Sequence, residues 1–128
     1  MAFHLPATEI RHYLMVNVLV DSLRRAGYDE IEADHLVSAP RPQDVLGEHG
    51  LSLVPDVVAC KDGKKIIFEV KTEEALFAPE TEEQLRTFAR HAEETGCEFC
   101  LLVPERCGPK VKYLLASLGM PELSVLYL

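Results

Sequence analysis

Three ionisable side chains stand out in the stretch "VPDVVACKDGKKIIFEVKT", residues 54–72: Asp56, Glu69 and Lys71. They interrupt two apolar runs that flank the dipeptide Asp62-Gly63, a strong signal for a two-residue hairpin turn. Centring the turn there puts Asp56 opposite Glu69, Val58 opposite Ile67 and Cys60 opposite Lys65. Strand side chains alternate, so Glu69 and Lys71 share one face, while Val57, Ala59, Ile66, Phe68 and Val70 occupy the other. Apolar residues on both faces suit an inner pair of strands. Two carboxylates opposed across such a pair repel each other, and burial raises the cost. A positive charge must lie between them. Lys71 is one candidate and a divalent cation is the other. Mg²⁺ and Mn²⁺ take carboxylate oxygens and leave positions for water or phosphate. A cation so held polarises a phosphodiester, and a neighbouring ammonium stabilises negative charge in the transition state.

The remaining ionisable groups carry a structural and a functional reading each. On a helical wheel Glu9 falls with Val16, Val20 and Leu23, away from Asn17, Asp21, Arg24 and Arg25. It either reaches a polar site or stabilises the first turn of a helix. His12, one turn on, is a core-edge histidine or a proton carrier. Gln84 stands where a capping box with Thr81 would place it. Lys61, Lys64 and Lys65 cluster at the hairpin tip, and Arg106, Lys110 and Lys112 near a later helix; both groups could contact phosphates or be solvated surface. Cys97 and Cys100 form a Cys-x-x-Cys, but in the strand-like "CEFCLLVP" residues three apart face opposite ways, so buried reduced thiols are expected rather than zinc. There is no Gly-rich phosphate loop after a strand and no Ser or Cys nucleophile with an evident base.

The elements that must position these residues read as follows. "TEIRHYLMVNVLVDSLRRAGYDE" is helical and stops at Gly27; "IEADHLVSA" is a strand; "PRPQDVLGEHGLS" is a long loop. The hairpin follows, then a helix capped by Thr81 and ended by Gly96, the strand "CEFCLLVP", a helix opened by Gly108-Pro109 and ended by Gly119, and the strand "LSVLYL". The fold class expected is α/β, a mixed central sheet flanked by helices in the order α-β-β-β-α-β-α-β. At 128 residues, 48% apolar and 27% charged, the chain is expected to be one domain, 1–128. No apolar run has membrane-spanning length and no signal pattern opens the chain, so a cytoplasmic protein without a membrane partner is expected. A net charge of −8 excludes coating of nucleic acid by charge alone, but not a local grip through a metal ion and a few lysines.

Pro55-Asp56, then Glu69-Val70-Lys71 after a hairpin, resembles the PD-(D/E)XK motif of restriction-endonuclease-like nucleases, and the element order is similar to their core. Among them the chain most resembles archaeal-type Holliday junction resolvases. The resemblance implies a Mg²⁺- or Mn²⁺-dependent nuclease acting on DNA, with branched or repair intermediates as substrates. Asp56, Glu69, Lys71, Glu9 and Gln84 would be catalytic. Asp56, Glu69, the Val70 carbonyl and Glu9 would hold the metal. Gln84-x-x-x-Phe88 is similar to the Gln-x-x-x-Tyr motif of exonuclease branches, with Phe replacing Tyr. A homodimer is implied too, and the first helix, apolar around its girth from Leu14 to Val20, has surface for a second copy or a partner protein. The alternative is a catalytically inactive module of the same fold that binds nucleic acid or protein.

Overall fold

The structure is a computed structural model that describes residues 6–47 and 49–128. The chain forms α1 (Ala7–Arg25), β1 (Asp29–Ala33), β2 (Val45–Leu46), β3 (Ser52–Leu53), β4 (Val57–Lys61), β5 (Lys64–Val70), α2 (Thr81–Thr95), β6 (Glu98–Val103), α3 (Gly108–Ser117) and β7 (Ser124–Tyr127), with a 3-10 turn, Glu105–Cys107, before α3. The five main strands make one mixed sheet in the order β1-β4-β5-β6-β7. β1 pairs with β4 and β4 with β5 antiparallel; β5 pairs with β6 and β6 with β7 parallel. This is the α/β sheet flanked by helices that the sequence predicts.

The hairpin register follows from its turn. Asp62 and Gly63 both take positive φ, 53° and 79°, the requirement of a type I′ turn. Lys61 then faces Lys64, Cys60 faces Lys65, Val58 faces Ile67 and Val57 faces Phe68. The sheet is buried on both faces. α1 lays Met15, Val16, Leu19 and Val20 against Val57, Ala59, Phe68 and Val70. On the other face α2 and α3 bring Leu85, Phe88, Val111 and Leu115 against Val58, Ile67 and Leu101. Parallel neighbours need crossover connections, and α2 and α3 supply them on the same face. α1 closes with the Schellman pattern the Gly27 signal predicts: Gly27, at φ 86°, donates to Arg24 O and Tyr28 donates to Leu23 O.

Three expectations change. The strand of "IEADHLVSA" ends at Ala33, because His35 takes φ 66° and the chain turns while Asp34 N–H donates to Asp56 O at 2.9 Å. The long loop holds a miniature hairpin, β2 with β3, turned at Gly50 with φ 77°. Thr81 is not the helix cap: its hydroxyl donates to Ala75 O at 2.8 Å, and the capping box with Gln84 does not form. Cys97 packs into the α2-side core and Cys100 into the α1-side core, so they lie on opposite faces as strand alternation requires; burial pushes the Cys100 thiol up to about 11. Among the described residues, no helix is long and apolar enough to cross a membrane.

Candidate functional site

The site lies at the end of the sheet away from the hairpin turn, where β4 begins and β5 ends. Asp56 immediately precedes β4 and Glu69 is the penultimate residue of β5, so the hairpin register carries the two carboxyls to one spot. Both are buried, 9% and 4% exposed, and Lys71 beside them is 6% exposed. The Val70 N–H donates to Asp56 Oδ2 at 2.8 Å, locking that carboxylate against the strand end. In extended chain a residue's N–H and C=O point to the same side, so the Val70 carbonyl faces Asp56 as well.

Lys71 Nζ stands 3.7 Å from Glu69 Oε2 and donates a hydrogen bond to Gln84 Oε1. Gln84 is on the first turns of α2, and its tie to a buried ammonium explains why it does not turn back to cap its own helix. A charge-assisted bond is about twice as strong as a neutral one. From the opposite side α1 delivers His12, whose Nε2 lies 3.2 Å from Asp56 Oδ1.

The two carboxyls differ in proton affinity because their surroundings differ. Burial pushes Asp56 up, but the hydrogen bond and charge of His12, a hydrogen bond from Glu69 and the Val70 amide outweigh it and hold Asp56 below its ordinary value. Glu69 is pushed well above the usual carboxylate range by burial, then by the charge of Asp56 and its hydrogen bond; Lys71 opposes this only in part. Of the two, Glu69 is the carboxyl that holds a proton more tightly. The hydrogen bond to Asp56 raises His12 above 6.5 against the pull of burial.

Glu69 Oε1 is buried and has no hydrogen-bond partner among the described residues. A buried carboxyl oxygen left unpaired costs about 1–3 kcal/mol. An oxygen-liganded divalent cation between Asp56 and Glu69 would engage it, so the donor set fits such an ion. Among the described residues no cluster of three or more His, Cys, Asp and Glu has metal-ligating geometry. The fit is thus to a two-carboxylate site with the Val70 carbonyl, leaving positions for water and substrate oxygens.

The other predicted residues divide. Glu9 is exposed and makes no hydrogen bond or ion pair among the described residues; it lines a cleft of about 500 Å³ that His12 also lines. The wheel gives its direction correctly, but it lies three residues, about 4.5 Å along the axis, before His12. His12 is the α1 residue that touches the carboxylates. The sequence signal for it was an ionisable residue on the rim of the apolar stripe, which suits a core-edge histidine equally well.

The hairpin-tip lysines do not adjoin the site: Lys64 is six residues from Val70 along β5, roughly 20 Å. Lys61 is anchored there, donating to Ala26 O at 2.8 Å and lying 5.3 Å from the Tyr28 ring centre. Arg106 and Lys110 are on the site's side of the sheet, bound to Glu73 at 3.1 and 2.8 Å, and Arg11 pairs with Glu74 at 2.5 Å. Lys112 is exposed on α3. Sequence reading did not single out Arg11 or Thr72, because nothing local marks residues that meet only through the fold.

No protein-family model matches the chain, and no curated protein matches it. Among solved structures it is similar to the crystal structure of a protein of unknown function, AF1548, with a TM-score of 0.51 and 18% identity over 88% of this chain. The chain spans 56% of the length of that protein. At such identity the likeness concerns the fold alone.

Proposed function

We propose that the chain is a divalent-metal-dependent nuclease of the PD-(D/E)XK type that hydrolyses phosphodiester bonds in DNA, including branched or repair intermediates. One observation carries the reading: Asp56 and Glu69 are buried face to face at a strand end, with Lys71 fixed beside them. A fold gains nothing in stability from that arrangement, since an apolar pair would be cheaper to bury. Asp56, Glu69 and the Val70 carbonyl would hold Mg²⁺ or Mn²⁺, which when bound polarises the phosphodiester and acidifies a coordinated water.

The chain's own groups then have separate tasks. The Val70 amide and His12 Nε2 fix the two oxygens of Asp56. Gln84 holds the Lys71 ammonium in place, where it offsets the negative charge that grows on the phosphate oxygens. Burial keeps bulk water from screening these charges. On α1, Ile10, Leu14 and Val18 remain 43%, 55% and 44% exposed, which supports a homodimer or a partner protein on that helix.

The test is incubation of the purified chain with Mg²⁺ or Mn²⁺ and single-stranded, duplex and branched DNA. The reading expects cleavage that Asp56→Asn abolishes. Absence of cutting on every substrate, or undiminished cutting by Asp56→Asn, would sink it. The net charge of −8 favours the second reading, a non-cleaving module for nucleic acid or protein. That reading predicts no Mn²⁺ binding in calorimetry.

A further inference from the structure

The geometry points to the cleft beside His12 as a pocket for one unpaired nucleobase of the strand being cut; this rests on the nuclease reading and specifies its substrate as single-stranded or unstacked DNA. The cleft, about 500 Å³, is within the ~300–1,000 Å³ range of small-ligand sites. His12 is shared between it and Asp56, so whatever fills the cleft touches the imidazole that in turn holds Asp56.

The lining selects a base and refuses a phosphate. Tyr13 presents a ring 46% exposed, a platform on which any base can stack, and Val16 gives an apolar floor. Glu9 stands on the wall with no ion pair among the described residues, repelling phosphate and accepting from exocyclic amino groups, while Asp34 is occupied by His35 and Arg41 at 3.2 and 3.5 Å. Thr72 is 2% exposed and its hydroxyl is hydrogen-bonded to the Glu74 carboxylate, so it forms a closed polar partition at the back of the cleft. The same Thr72 lines a second hollow of about 240 Å³, where Arg11 and Arg106 are found. There Glu74 and Glu73 neutralise them, so the charge of that hollow does not compete with the cleft for the strand. A base stacked inside a duplex cannot enter such a cleft without leaving its neighbours.

Binding of the full chain, without added metal and at fixed low salt, to a fluorescent oligonucleotide carrying 2-aminopurine tests this. Single strand should bind at least tenfold tighter than duplex of the same sequence, with quenching of the 2-aminopurine. Tyr13→Ala should lose roughly tenfold on single strand and abolish the quenching, leave duplex binding unchanged, and Tyr13→Phe should restore both. Equal binding of duplex, or single-strand binding indifferent to Tyr13→Ala, overturns the inference. Metal-dependent cleavage is scored separately. Cutting without strand preference overturns the base pocket and leaves the nuclease; Tyr13-dependent single-strand binding without cutting supports the pocket and overturns the nuclease.

Discussion

Replacing Glu69 by Gln should make the metal-free protein more stable. Glu69 is buried against Asp56 and 3.7 Å from the Lys71 ammonium. Two unit charges about 4 Å apart interact by about 4 kcal/mol at an effective dielectric of 20. That attraction of Lys71 opposes the burial of Glu69 and the charge of Asp56 only in part. What remains is an uncompensated cost of burying the ionised Glu69 carboxylate, about 1–3 kcal/mol for an unsatisfied buried group. Gln keeps the shape and does not bear that cost.

The sign depends on pH. The folded-state pKa of Glu69 is raised above its unfolded value of 4.5, so folding takes up a proton. Wild-type stability is greatest below that value and falls as pH climbs to the folded pKa, whereas Glu69→Gln has no such loss. Urea denaturation in EDTA should show a gap near zero at pH 4 and about 1–3 kcal/mol in favour of Glu69→Gln at pH 8. Added Mn²⁺ should reverse the order by stabilising only the wild type. A variant less stable than wild type at pH 8, or a gap that ignores pH, would refute the reasoning.

Further outcomes follow from the same geometry. His12 has a raised pKa, so its contribution, about 1 kcal/mol, is fully present below 6.5 and is lost as pH rises through its folded pKa; denaturation of His12→Ala against wild type at pH 6 and pH 9 should show the gap shrinking. Gln84→Ala should free Lys71 and lower kcat about tenfold or more with KM little changed, read from steady-state cleavage rates. Gly63→Ala, at φ 79°, should cost about 1 kcal/mol of stability in urea while Mn²⁺ affinity is unaffected, since the turn is roughly 20 Å from the carboxylates.

The hairpin was legible because one dipeptide determines it. Asp-Gly admits few turn geometries, and the turn sets every opposed pair beyond it, so the meeting of Asp56 and Glu69 could be read from spacing. Both-face burial was legible for a similar local reason, the lack of alternation between apolar and polar residues. The route of Gln84 was not. Thr81 and Gln84 satisfy a capping rule, and only the tertiary position of Lys71 overrides it. The choice between Glu9 and His12 was hidden as well. Periodicity gives the direction of a side chain around a helix, but how far α1 slides along the sheet depends on packing of Met15 to Leu23. The shortened β1 reflects His35 in the left-handed region, a conformation no residue pattern there announces.

The most direct measurement is anomalous diffraction from a crystal soaked in Mn²⁺. A peak within bonding distance of both Asp56 and Glu69, lost in Glu69→Ala, is the result expected. A wild-type crystal with no manganese between those carboxyls would contradict the account.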